Sequence, residues 1–397
     1  MSRGTTARIN LDNLRHNYAL IAEKAGNASP GCGVIAVVKA DAYGHGLPQV
    51  VAALPEGAAF GVATIDEARL IRRLRPEAKI LLLEGFLDQT ELEQATALAL
   101  DCVIHQPFQL DLLQAVQSAV PHNLWLKIDT GMNRLGFPQD QWQAALARLQ
   151  AIQPKARVTL MTHFASSDEP GSELTLRQVE AIATLGRSCA LSASNSAAVF
   201  NFPDLSLNWV RVGLALYGAS PMPGLLGKEL GLKPVMRLSA NVIGIKAIRA
   251  GQSAGYGGHW TAPVDTQLAV LGIGYGDGYP WHAQNGTPVF INGLYYKLAG
   301  RVSMDMLAVE IGPDSDVSVG DEAILWGEQL PLEVIARHAN TIPYVLPCGL
   351  TSRVRYVYEH TGGAAAGQKA PVAKDAPSAS PASGQAGLAG TTAPDIS

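Results

Sequence analysis

Cysteine is scarce in this 397-residue sequence: Cys32, Cys102, Cys189 and Cys348 stand far apart, with no C-x-x-C pair and no zinc-like spacing. That excludes a disulfide scaffold and a cysteine metal site, so the thiols read as reduced and mostly packed, as in a cytosolic protein. Long apolar runs are lacking as well. None reaches the roughly 18 residues of a membrane span, and the start, Met-Ser-Arg-Gly-Thr-Thr-Ala-Arg, lacks the apolar stretch of a secretory signal. The expectation is a soluble, cytoplasmic protein. Charge of one sign is nowhere gathered into a block, and the formal net charge is −4. A nucleic-acid groove and a membrane-surface patch are both disfavoured, which leaves a small-molecule partner. From residue 361 to 397 aromatic residues are absent, and Ala, Gly, Ser, Pro and Thr predominate. Such a segment cannot bury enough apolar surface to offset ordering entropy, so it is expected to be a disordered tail.

What is present is rhythm. The apolar fraction is 47%, ordinary for a globular chain, and the length suggests two or three domains. Short apolar runs recur at 34–38, 59–63, 80–83, 100–104, 124–128, 158–161, 189–193 and 209–212. Between them lie stretches with helical spacing at 48–54, 66–74, 88–98, 107–120, 139–152 and 173–185, and another helix, 11–24, precedes the first run. Thr64-Ile-Asp-Glu67 is a capping box. Eight strands alternating with helices imply an α/β, TIM-like (β/α)8 barrel. The weakest unit is the seventh helix, 196–200, and an open doubly wound sheet is the alternative. After Lys233-Pro234 the pattern changes to strand-like runs at 238–248, 268–273, 288–291, 294–298, 307–311 and 322–326, with Asn292-Gly293 as a hairpin signal and one helical stretch at 331–338. The expected domains are therefore a barrel over 1–233 and a mainly antiparallel β domain over 234–360, with the first few residues able to join the latter.

Chemistry in such a barrel sits at the C-terminal ends of the strands. There the sequence places Lys39, Lys127 with Asp129, Thr162 with His163, the run Ser194-Asn-Ser196, and Arg211 with Gly213. Any one of these suits an ordinary polar loop; together they suggest a site. Lys39 directly follows a buried-type strand, where desolvation favours the neutral amine that forms an imine with an aldehyde. A lysine that merely snorkels at a strand end is the plain alternative. The loops after strands seven and eight are the usual phosphate site of this fold, and here they hold Ser196, Gly213 and Leu214. Gly272-Ile-Gly-Tyr-Gly lies in the β domain and reads as strand and turn, not as a nucleotide loop.

At residues 36–46 the string AVVKADAYGHG resembles alanine racemase, a fold-type III pyridoxal-phosphate enzyme. The likeness continues through LKIDTGMNRLG at 126–136, MTHFA at 161–165, SNSAA at 194–198, VRVGLALYGAS at 210–220, GYG at 255–257, IGYGDGY at 273–279, GRVSMD at 300–305 and TIPY at 341–344. This resemblance implies interconversion of L- and D-alanine, as in D-alanine biosynthesis for the cell wall, with pyridoxal 5'-phosphate as cofactor and no metal. It implies that Lys39 carries the cofactor and is the base on one face of the α-carbon. Tyr256 of a second subunit is then the base on the other face. A phenol with an ordinary pKa of about 10 is a poor base at neutral pH, and a cationic His163 beside it would lower that value.

The resemblance also implies that Arg211 meets the pyridine nitrogen, which would disfavour transamination. Tyr43, Ser196, Gly213, Leu214 and Tyr344 would surround the phosphate, and Arg134, Met304 and Asp305 the substrate. Lys127 corresponds to a lysine that is carbamylated in family members. Because Tyr256, Met304 and Asp305 lie in the β domain and reach a neighbour's barrel in the family, a homodimer with composite sites is implied. Ser192 departs from the pattern, standing where some members carry a histidine; Asn133 and the Gly-Tyr-Gly-Gly-His-Trp string from Gly255 are variable too. Rival readings are a racemase of broader range acting on serine or lysine, a decarboxylase of similar architecture, and a non-catalytic pyridoxal-phosphate-binding protein. The decarboxylase would call for an acidic residue where Arg211 stands.

Overall fold

Eight short apolar strands close into a parallel ring in the computed structural model, which describes residues 3–116, 121, 123–185, 188–360 and 363–367. A first strand, β1 (Thr6–Asn10), precedes them. The ring comprises β2 (Gly33–Val37), β3 (Ala59–Val62), β4 (Ile80–Leu82), β5 (Asp101–Ile104), β6 (Asn123–Lys127), β7 (Arg157–Met161), β8 (Ala190–Ser192) and β9 (Trp209–Val212). Each pairs with the next, and β2 pairs with β9 through Ile35 opposite Arg211, so the barrel has no edge. Its interior is filled by Ile35, Ala59, Leu81, Val103, Trp125 and Met161. At its base the buried Asp101 carboxylate accepts from Lys79 Nζ, Asn123 Nδ2 and Trp125 Nε1. The open sheet is excluded.

Helices cover the ring where the spacing placed them. In Ile65–Leu74 the buried face is Ile65, Ala68 and Ile71, each isoleucine contributing roughly 1.5–3 kcal/mol of burial. The Thr64–Glu67 capping box is formed. The helix expected over 107–120 spans Pro107–Ala115, and residues 117–120 fall outside the described set. The short seventh helix, Ser196–Asn201, is real and is capped by the Asn195 side chain on Ala198 N–H.

The C-terminal strands are β10 (Met236–Ile248), the small pair β11 (Ser253–Ala254) and β12 (Trp260–Thr261), β13 (Thr266–Leu271), β14 (Pro288–Ile291), β15 (Leu294–Leu298), β16 (Leu307–Glu310), β17 (Glu322–Trp326), β18 (Arg355–His360) and β19 (Gly363–Gly367). The long β10 pairs with β17 through its first half and with β13 through its second, so six of these strands also form a closed circuit. Asn292 (φ 47°) and Gly293 (φ 86°) form the tight turn between β14 and β15. β1 lies between β10 and β18, antiparallel to the first and parallel to the second.

β19 falls inside the segment expected to be disordered. It pairs antiparallel with β18, whose outer edge offers N–H and C=O groups that any main chain can take. The remainder of the expected tail, 361–362 and 368–397, lies outside the described residues. Among the described residues no helix is long and apolar enough to cross a membrane.

Candidate active site

Because β2, β6, β7, β8 and β9 all point the same way, their C-terminal ends bring Lys39, Lys127, His163, Ser196, Arg211 and Gly213 to one cavity of about 570 Å3. Tyr43, Arg134, Leu214 and Tyr344 line it too. Four lining residues are lysine or arginine, and Glu84 is the acidic one among them. Glu84 and Leu83 were missed from sequence, although Glu84 carries the same signal as the others, a polar residue directly after an apolar run.

Arg211 is buried at the end of β9. Its Nη1 donates to Ser192 Oγ at 2.5 Å; its Nη2 contacts Thr162 O at 2.6 Å, Ala193 O at 3.2 Å and His163 Nδ1 at 3.1 Å. Nε–H and the second Nη1 hydrogen thus remain for a ligand. Burial draws the guanidinium down to about 10, which still leaves it charged at neutral pH. Ser192, noted as a departure from the family pattern, here holds Arg211 and itself donates to Trp209 O.

His163 differs from expectation. Burial first, and then the nearby Arg211, Lys127, Arg134 and Lys39, hold it well below the usual histidine range. Those influences disfavour its charged form, and so oppose the cationic role expected of it beside a phenol. With Nδ1 accepting from Arg211, its proton sits on Nε2, where it can donate a hydrogen bond.

Lys127 is pushed down to about 8 by burial, then by Arg211 and Arg134, against a raising influence from Asp129. Asp129 also shapes the loop that carries Arg134. Its Oδ1 accepts from Gly131 N and Asn133 N, while Phe137 N closes on Lys127 O. The fully buried Gln178 ties this loop to the next: Nε2 donates to Thr130 Oγ1 and His163 O, and Oε1 accepts from Ala165 N.

Ser196, Gly213 and Tyr43 bring hydrogen-bond donors to the same cavity as the cations. Ser196 Oγ accepts from Gly213 N at 2.9 Å, leaving its own hydrogen free to donate. A Cβ on Gly213 would lie 2.4 Å from Tyr43 Oη, so glycine is required for this close approach. Burial pushes the Tyr43 phenol upward, which keeps its proton available as a donor. The Tyr43 ring is fixed between Tyr217, at 5.0 Å between centroids, and Tyr344, at 5.9 Å.

Lys39, half-buried, is the last residue before an unusual turn. Ala40, Asp41, Ala42 and Tyr43 all have φ near 53–54°, a left-handed helical turn without glycine. At ~1–2 kcal/mol per residue such a run costs roughly 4–8 kcal/mol.

Tyr256, Met304 and Asp305 are not in this cavity. They line a separate hollow of about 530 Å3 on the β domain, where Tyr256 is 73% and Met304 52% exposed. Tyr256 sits in a turn between β11 and β12. Asp305 is held by Arg353, and its carbonyl by Arg3 Nη2 at 2.6 Å; both arginines also pair with the fully buried Asp277.

The family model for the alanine racemase N-terminal domain matches residues 9–221, and that for the alanine racemase C-terminal domain matches 235–358. The chain belongs to the alanine racemase family. An alanine racemase of Shewanella woodyi is 43% identical over 351 residues, covering 88% of this chain and 97% of that protein. The crystal structure of the biosynthetic alanine racemase from Pseudomonas aeruginosa superposes with a TM-score of 0.86 at 41% identity, covering 90% of this chain and all of that one. An alanine racemase from Bartonella henselae, solved with covalently bound pyridoxal phosphate, has a TM-score of 0.81 at 28% identity, covering 90% of this chain and all of that one. The likeness to alanine racemases thus spans both the barrel and the β domain, and the eight-stranded ring expected from the sequence is present.

Proposed function

We propose that this protein interconverts L- and D-alanine with pyridoxal 5'-phosphate held in the barrel mouth. The observation that carries the reading is the convergence on one cavity of the Lys39 amine, the Ser196–Gly213–Tyr43 anion cradle and the buried Arg211. The residues present fit the cofactor: Lys39 would hold its aldehyde carbon, the cradle with Leu214 and Tyr344 its phosphate, and Arg211 its ring nitrogen. When bound, the cofactor supplies the electron withdrawal that acidifies the α-hydrogen of an amino acid. Arg211 donates at neutral pH and does not surrender a proton, so it limits how far charge is drawn into the ring and favours simple proton return.

Racemisation requires two bases on opposite faces, because one group returning its own proton to the same face inverts nothing. The Lys39 amine serves one face. The other is served by the phenol oxygen of Tyr256 of the partner subunit, since within one chain Tyr256 lies in a different hollow from Lys39. Neutral His163, with its proton on Nε2, steadies that phenolate by a hydrogen bond rather than by charge. Arg134, with Met304 and Asp305 of the partner subunit, receives the substrate carboxylate. A homodimer with two composite sites follows. The neutral fraction of Lys127 can add to carbon dioxide, forming an N–C bond and releasing a proton, and the resulting carbamate would face Arg134 as an anion. The four cysteines are free thiols, which suits the reducing cytoplasm.

The test is direct. The protein is incubated with pyridoxal phosphate and single L-amino acids, and D-enantiomers are followed by chiral chromatography. D-alanine should form and approach equal amounts of the two enantiomers, and Lys39→Ala should abolish it. Formation of carbon dioxide, or a preferred substrate other than alanine, would overturn the reading.

A further inference from the structure

We infer that Glu67 is a positioning residue for Lys39, its carboxylate anchoring the point where the backbone changes hand directly after the lysine. The inference rests on the reading of Lys39 as the reactive amine. A left-handed turn of four L-residues is disfavoured at every step and persists only where its surroundings over-determine it. The far end of the turn is well held. Ala42 is fully buried and its N–H reaches Val38 O at 2.8 Å, Gly46 N donates to Asp41 O at 3.0 Å, and Leu47 N donates to Asp41 Oδ1 at 2.7 Å.

The near end is different. Ala40 is exposed, and its N–H donates to Glu67 Oε1 at 2.7 Å. This is the first anchor beyond Lys39. Glu67 is already employed: Oε2 accepts from Ala63 N at 2.9 Å and Thr64 N at 3.2 Å, closing the capping box of helix Ile65–Leu74. Capping uses one oxygen only. The second, Oε1, leaves its own helix and bridges to the neighbouring loop of the barrel mouth. One carboxylate, seated on a helix whose Ile65, Ala68 and Ile71 are packed, therefore ties the exits of β2 and β3 together. Loss of that tie frees the hand-changing junction, and with it the direction in which the Lys39 side chain leaves the strand.

Two substitutions separate the roles. Thr64→Ala damages the cap while leaving the Ala40 bridge, and Glu67→Ala removes both. Hydrogen exchange across residues 40–46 of the cofactor-free protein should quicken about fivefold in Glu67→Ala and stay near wild type in Thr64→Ala. With cofactor bound, kcat for racemisation should fall about three- to tenfold in Glu67→Ala with KM little changed. Glu67→Gln keeps one acceptor oxygen and should fall between the two; it also covers the case in which the alanine variant does not fold. Equal behaviour of Thr64→Ala and Glu67→Ala would overturn the inference, as would unchanged exchange across 40–46, or quickened exchange with unaltered kcat. A wild-type protein without racemase activity would instead defeat the functional reading, leaving exchange alone to decide the tether.

Discussion

Replacing Lys127 by methionine should stabilise the cofactor-free protein at neutral pH, and the gain should fade as pH rises. Lys127 is buried at the end of β6, facing Arg211, Arg134 and Lys39 against the single raising influence of Asp129. Its amine falls from 10.5 to about 8 on folding, which corresponds to about 3 kcal/mol. Below pH 8 both folded and unfolded chains carry the charge, and the native state bears the full penalty. Between about 8 and 10.5 the unfolded chain binds the extra proton, so native stability rises with pH through that window. Methionine keeps the apolar stem and removes the titration. The variant should therefore exceed wild type by about 3 kcal/mol near pH 7 and by little near pH 10.5. Urea unfolding at one fixed protein concentration, in buffers freed of carbon dioxide, measures this difference. With bicarbonate added, a carbamate at Lys127 would reverse the local charge, and the wild type should then gain on the variant. A wild-type-to-variant difference that ignores pH without bicarbonate would refute the reasoning.

Three further outcomes are expected. Gly213→Ala sets a Cβ 2.4 Å from Tyr43 Oη, whose ring is held by Tyr217 and Tyr344; cofactor affinity, read by absorbance titration, should fall about tenfold or more, with circular dichroism unchanged. Gln178→Leu leaves Ala165 N–H and His163 O without their buried partner, while Thr130 Oγ1 keeps Thr162 Oγ1; urea unfolding should show a loss of roughly 3 kcal/mol, and a loss below about 1 kcal/mol would deny that Gln178 ties the two loops. Mixed Lys39→Ala and Tyr256→Phe subunits, each inactive alone, should recover about a quarter of wild-type activity after exchange, because half the dimers then hold one intact composite site; no recovery would exclude the shared site.

The barrel was legible because most of its strands are buried on both faces and so read as short apolar runs; β7 is the exception, buried only at Leu160 and Met161. The strand ends were legible for the same reason, and Lys39, Lys127, His163, Ser196, Arg211 and Gly213 were found by position before any cavity was known. What stayed hidden depends on three-dimensional surroundings. His163 offered its residue type but not its charge, which is decided by burial beside four cations. The left-handed turn after Lys39 carries few of the usual marks, since Ala40, Asp41, Ala42 and Tyr43 include no glycine or asparagine, and only Asp41 is of a type that tolerates this region. Glu67 was legible as a cap, but the partner of its second oxygen lies 27 residues away on another loop. β19 pairs through its main chain along an exposed edge, which composition does not report.

The disfavoured features of this protein lie together, and their placement has a reason. The left-handed turn, the depressed Lys127 and His163 and the buried Arg211 all crowd the C-terminal ends of the strands, while the base of the barrel is conventionally satisfied around Asp101. Four cations lining a cavity with Glu84 as its acid repel one another until an anion enters. A ligand that binds the native chain and not the unfolded one then adds its binding free energy to stability. A dianionic phosphate together with a substrate carboxylate relieves that repulsion directly. The resistance of the cofactor-free protein to unfolding should therefore depend more steeply on added anions than that of the Lys127→Met variant. Equal responses of the two would mean that the cavity's charge is not what opposes the empty fold.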